Sequence, residues 1–146
     1  MLSKVTIILL SLLLLVSCQQ MNFQFGKKKP MFYLTEYSKD PEYGKNKYKA
    51  IKTGGWETNG HAGQQWFFHM LSGPNGEKLI VQRVGACCQH KNPIAFQGMA
   101  LLDKYHVYIG DSTKAITLYL NSYEYQPPKI PVGFGAKIKY NKPIQR

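Results

Sequence analysis

Hydrophobic positions along the chain fall into distinct patterns, and each predicts a different element. Residues 5–16 are apolar except for Thr6 and Ser11. That run has the length of a secretory signal core, whereas a bilayer-spanning helix takes roughly 20 apolar residues. Residues 61–71 (HAGQQWFFHML) place Trp66, Phe67, Met70 and Leu71 at i, i+1, i+4 and i+5. This spacing predicts a helix with one apolar face, with Asn59 as its N-cap. Strict alternation occurs further on: Tyr105, Val107 and Ile109 against His106 and Tyr108, then Ile116, Leu118 and Leu120 against Thr117, Tyr119 and Asn121. With the turn residues Asp111-Ser112-Thr113-Lys114 between them, strands over 103–110 and 115–123 form a β-hairpin centred near Ser112. Asp103 and Asp111 flank the first of these strands and are expected to end elements.

Shorter β-rich stretches at 31–37 (MFYLTEY), 48–53, 78–88 (KLIVQRVGACC) and 132–140 predict further strands, with Leu79, Val81 and Arg83 on one face of the third. Asp40-Pro41 with Gly44, Gly54-Gly55, and 72–76 (SGPNG) punctuate them as turns. Pro127, Pro128 and Pro131 predict an extended edge segment. No internal repeat or low-complexity block appears. The expected fold is one α+β domain over 31–146: a mostly antiparallel sheet, a hairpin in its C-terminal half and one packed helix.

The end of the apolar run changes the picture. Leu15-Val16-Ser17-Cys18 sets an aliphatic residue at −3, a small one at −1 and a cysteine at +1. An ordinary secretory cleavage site takes small residues at both −3 and −1, which Leu15 does not fit. The motif resembles the lipobox of bacterial lipoproteins. That resemblance implies cleavage before Cys18, a diacylglyceryl thioether on its sulfur, and Cys18 as the new N-terminus. Residues 1–17 are then a lipoprotein signal peptide and 18–30 a lipidated N-terminus and tether. Gln19 after the cysteine resembles the pattern exported to the outer membrane. The expected address is the bacterial cell envelope, the outer membrane before the inner. Twelve tether residues reach at most about 40 Å, so the domain stays close to the lipid. Lys27, Lys28 and Lys29 each add on the order of 1 kcal/mol of attraction to an anionic leaflet.

Charge points the same way. The chain holds 19 basic and 8 acidic residues, a formal charge of +11 that becomes about +10 once Lys4 is removed with the signal. Such a surplus favours phospholipid heads, lipopolysaccharide phosphates or acidic glycans. An extracytoplasmic address excludes nucleic acid. The remaining 129 residues can bury a sound core without a metal or many disulfides, and no cofactor is expected.

Several segments look familiar together: Glu36-Tyr37-Ser38, Gly54-Gly55, Leu71-Ser72-Gly73-Pro74-Asn75-Gly76-Glu77-Lys78, Gly85-Ala86-Cys87-Cys88, Leu101-Leu102-Asp103-Lys104-Tyr105, Leu118-Tyr119-Leu120-Asn121-Ser122-Tyr123 and Pro131-Val132-Gly133-Phe134. Their order resembles a family of small envelope lipoproteins of Bacteroidetes-type bacteria, over roughly residues 33–134. The family brings no established activity, so no catalytic residue carries over. Some members bear the label 2-dehydro-3-deoxyphosphooctonate aldolase. That aldolase is a (β/α)₈ barrel of about 250 residues, acting on cytoplasmic substrates. A 129-residue exported chain without βα alternation does not match it. Gln89-His90-Lys91 also departs from the more apolar segment usual after the cysteines.

Cys87 and Cys88 are the most unusual feature of the domain. Three readings stand: a vicinal disulfide in an oxidising compartment, a soft-metal site completed by His90, or buried small side chains that end a strand. His61, His69 and His106 are spread along the chain, with His69 a core-edge residue. Tyr108, Tyr119, Tyr123 and Tyr125 are expected on one face, where rings beside lysines stack on sugars or pack across strands. Trp56, between Gly55 and Glu57, is the candidate for an exposed contact. No G-x-S-x-G, H-E-x-x-H or P-loop pattern occurs. The expected function is a binding or structural module at the membrane, taking an anionic glycan, lipid head group or envelope protein. The alternative is a thiol-redox or soft-metal protein or enzyme centred on Cys87-Cys88. The Cys18→Ala variant is expected to take up no labelled palmitate in cells; labelling that persists would remove the lipobox reading.

Overall fold

The computed structural model describes residues 31–55 and 60–137. The expected signal and tether, Trp56, the expected Asn59 cap and the end of the predicted 132–140 strand lie outside the described residues.

The fold is α+β, and a long antiparallel ribbon forms its backbone. β-branched and apolar residues at alternate positions extend the chain at Leu79–Lys91 (β3, the third strand in chain order) and Met99–Ile109 (β4). The two pair from Leu79↔Ile109 to Lys91↔Met99. Strand Ile116–Asn121 (β5) pairs antiparallel with β4 from Asp103↔Leu120 to Val107↔Ile116, so the hairpin at Ser112 forms where the alternation placed it. Strand Ile51–Lys52 (β1) adds in parallel beside β5, giving the order β1-β5-β4-β3. Helix His61–Met70 (α1) leads straight into Leu71–Ser72 (β2), which pairs with Gly135–Ala136 (β6).

The pleat of β4 and β5 turns Tyr105, Val107, Leu118 and Leu120 to one side, where Phe67 and Met70 of α1 pack on them. The helix face differs from the expected one. Gly63, Gln64, Phe67 and Met70 are its buried residues. Trp66 is half-buried, and its indole N–H donates to the Phe32 carbonyl at 2.9 Å. Leu71 is buried as the first residue of β2, because its backbone is already extended. A polar Gln64 therefore occupies a slot that an apolar count assigns elsewhere.

Three predicted strands are shorter or longer than expected. Residues 31–37 run extended and bury Phe32 and Leu34, but their ladder is a single bridge, Tyr37↔Ile130. Their partner segment carries Pro128 and Pro131, which have no N–H to donate. Over 48–53, Lys47–Lys49 closes a 3₁₀ turn because the Asn46 side chain accepts the Tyr48 N–H at 3.0 Å. Only Ile51 and Lys52 remain in the strand, and Gly54 then lies so close to Ser122 that any Cβ there would collide with the Ser122 carbonyl. The 78–88 strand instead runs on to Lys91 through two bulges, between Arg83 and Gly85 and between Cys87 and Gln89. Each bulge shifts the side-chain alternation by one, which hides the strand's length from a period-2 count.

Candidate functional site

Asp103 does not end an element. It lies inside β4, 3% exposed, on the face that meets α1. Burying a charge is costly unless it is paired and hydrogen-bonded, and Asp103 is both. Arg83 donates to Oδ1 from Nε at 3.0 Å and from a terminal nitrogen at 2.5 Å. Gln64 donates to Oδ2 at 2.7 Å, and the Tyr105 hydroxyl donates to the Gln64 side-chain carbonyl oxygen at 2.6 Å. Burial, then the Asp103 charge, holds the Tyr105 hydroxyl above its ordinary value, while Asp103 raises Arg83 further. His61 Nδ1 stands 3.5 Å from Oδ2 with its ring mostly exposed. A buried carboxylate beside an exposed imidazole is one half of an acid–base pair. Here Arg83 and Gln64 already engage the carboxylate, so its main action is to tie helix to sheet.

Cys87 and Cys88 are bonded to each other in a vicinal disulfide. Cys88 is the extra residue of the second bulge, with φ at +58°, a region L-residues seldom adopt. His90 lies two positions on. Asn121 Oδ1 accepts the N–H groups of Tyr123 and Glu124 at 2.9 and 3.2 Å, which orients the amide. Its NH₂ can then only donate to His90 Nε2 at 3.1 Å, so the imidazole proton belongs on Nδ1. That Nδ1 is buried and has no hydrogen-bond partner. Glu124 completes the group, 3.8 Å from His90 Nε2 and 2.5 Å from Lys52 Nζ. The Lys52 ammonium is the main reason the Glu124 carboxyl titrates below its ordinary value. Lys52, Glu124, Asn121 and His90 thus link the sheet's β1 edge to its β3 edge across the end of β5. Among the described residues no group of three His, Cys, Asp or Glu side chains is placed to hold a metal ion.

The four tyrosines divide. Tyr119 faces Lys104 and Tyr108 faces Ile80 on the side of the sheet away from α1. Tyr119 also lines a small hollow with Lys45 and Lys47. Tyr123 is exposed beyond β5, and Tyr125 packs on Phe32 at 6.3 Å, against the core. The bridge Thr53↔Tyr125 turns the chain back after β5 and separates the last two from the first pair.

A larger concavity than the Tyr119 hollow lies elsewhere, at the β1 edge. It is a groove of about 830 Å³ lined by Tyr37, Tyr43 and Tyr48 with Lys39, Lys49 and Lys129 among others. Turn chemistry builds its wall: Ser38 Oγ accepts the Asp40 N–H at 3.2 Å, and Asp40 Oδ1 accepts the Glu42 N–H at 2.9 Å. Tyr43 forms the floor, its hydroxyl accepting the Lys129 N–H at 3.1 Å, and burial raises that hydroxyl above its ordinary value. Tyr37 is 61% and Tyr48 85% exposed at the rim. Lys49 is 2.8 Å from both Asp40 and Glu42, and Lys129 is 2.9 Å from Glu36. Lys49 lowers both carboxyls below their ordinary values. No periodicity or motif in the sequence marks this site. Its one local signal was the interleaving of Tyr and Lys over 37–49 (YSKDPEYGKNKYK).

No family model, curated protein or solved structure matches the chain.

Glu124 has a lowered folded-state value, so its contribution to stability is complete above the unfolded value, ordinarily 4.5, and is lost as pH falls through the folded value. Urea unfolding measured from about pH 7 to pH 3 is therefore expected to show stability falling below about 4.5. The Glu124→Gln variant should start less stable and fall less steeply; an unchanged acid limb would separate the carboxylate from the Lys52 pair.

Proposed function

We propose that the protein is a membrane-anchored envelope lipoprotein whose domain holds an anionic saccharide in the tyrosine–lysine groove. The observation that carries the reading is the rim: Tyr37 and Tyr48 stand exposed on a groove that also presents Lys39, Lys49 and Lys129. Tyrosine presents a large apolar ring with a polar hydroxyl at its tip, which suits the C–H face of a sugar and its hydroxyls together. Ammonium groups beside those rings pair with phosphate or carboxylate substituents. The lysines that already have acidic partners hold them in exposed ion pairs worth little, so an anionic ligand exchanges with them at small cost. The lipobox at Cys18, the surplus of basic residues and the resemblance to envelope lipoproteins support the address and the sign of the ligand. A second reading, a thiol-redox role, rests on the Cys87–Cys88 bond alone.

Titration calorimetry with acidic and neutral oligosaccharides tests the groove. Acidic ligands are expected to bind more tightly, and Tyr48→Ala combined with Lys39→Ala to weaken them about tenfold, equivalent to about 1.4 kcal/mol. Affinity that ignores both the ligand's charge and the double substitution would overturn the assignment.

A further inference from the structure

The helix covers the sheet only as far as Asp103, where Gln64 meets the carboxylate. Beyond it the β3–β4 ribbon continues through Met99, roughly 13 Å at strand spacing, and then into the connecting loop. One face of this extension is covered: Ala100 and Leu102 are buried, and His90 meets Asn121 there. The other face is open. It carries Met99 and Leu101 on alternate positions of β4, both exposed, with Lys91 paired opposite Met99. The loop adds Ile94, 63% exposed, and Phe96, 86% exposed. Single exposed apolar residues are ordinary on a protein surface, but several large ones on one strand end and the loop that precedes it mark an interaction site.

Charge identifies the occupant. From residue 78 through residue 102 the ribbon contains no carboxylate; Lys78 and Lys91 are basic, and Arg83 is already paired with Asp103. An apolar, aromatic tip with a cation on its open face and no acid along its length complements an anionic lipid surface, where rings settle among head groups and lysine pairs with phosphate. A second copy of the same chain would instead set basic ribbon against basic ribbon. We propose that this ribbon tip dips into an anionic bilayer surface, with Phe96 deepest, and so holds the domain in one orientation. The proposal rests on the envelope reading only for bringing the domain to a membrane.

The test uses the full chain, reconstituted into vesicles of phosphatidylglycerol and phosphatidylcholine that carry brominated acyl chains. An indole introduced by Phe96→Trp is expected to lose most of its emission beyond the wild-type background of Trp56 and Trp66. An indole introduced by Val132→Trp, exposed on a different turn, should lose little. Quenching should weaken in vesicles of phosphatidylcholine alone. A chain that sediments with the vesicles while the Phe96→Trp indole stays unquenched overturns the tip and leaves the anchor intact. Emission that tracks protein concentration rather than bromolipid assigns the patch to a second copy and also overturns it. A chain that stays in the supernatant removes both the tip and the anchor.

Discussion

The rest of this fold depends on one buried charge. Asp103 lies between helix and sheet, where a carboxylate without partners would be very unfavourable. Arg83 reaches it from β3, Gln64 from the helix, and Tyr105 braces Gln64 from within β4. Apolar packing is non-directional, whereas these directional hydrogen bonds to a buried charge add a specific constraint on how the helix sits on the sheet. That placement sets Phe67 and Met70 over Tyr105, Val107, Leu118 and Leu120. It also decides where helical cover stops, and so which part of the ribbon remains open.

The two candidate surfaces lie on opposite margins of the same sheet. The groove belongs to the β1 edge, where short turns stabilised by Ser38, Asp40 and Asn46 side chains present tyrosines and lysines. The open ribbon belongs to the β3 edge, with the vicinal disulfide in its second bulge. Between them, the chain of Lys52, Glu124, Asn121 and His90 links the sheet's margins across the end of β5. In the proposed setting, the ribbon tip orients the domain at the lipid surface and the groove remains accessible to envelope saccharide.

Local patterns were legible in the sequence, and long-range ones were not. The hairpin at Ser112 and the helix at 61–70 form from neighbours in the chain, so alternation and helical spacing found them. Gln64 could not be read as a core residue. Its burial is compensated by Asp103 and Tyr105, 39 and 41 positions away. Asp103 looked like a strand end because the four β4 residues before it, 99–102, are all apolar and show no alternation. The groove takes its floor from a bond between Tyr43 and Lys129, 86 positions apart. Its rim tyrosines lie in a turn-rich segment where no periodicity marks a face. The expected tyrosine face failed for the opposite reason: the chain reverses after Asn121, and Tyr125 packs against the core.

The most direct measurement is a double-mutant cycle on Gln64→Ala and Asp103→Asn, read by urea unfolding. If the carboxylate ties helix to sheet, the two substitutions should be coupled by about 0.5–3 kcal/mol, the range for residues in direct contact within one hydrogen-bond network. Additive effects, with no coupling beyond error, would mean that apolar packing alone seats the helix and that Asp103 has no governing place in the fold.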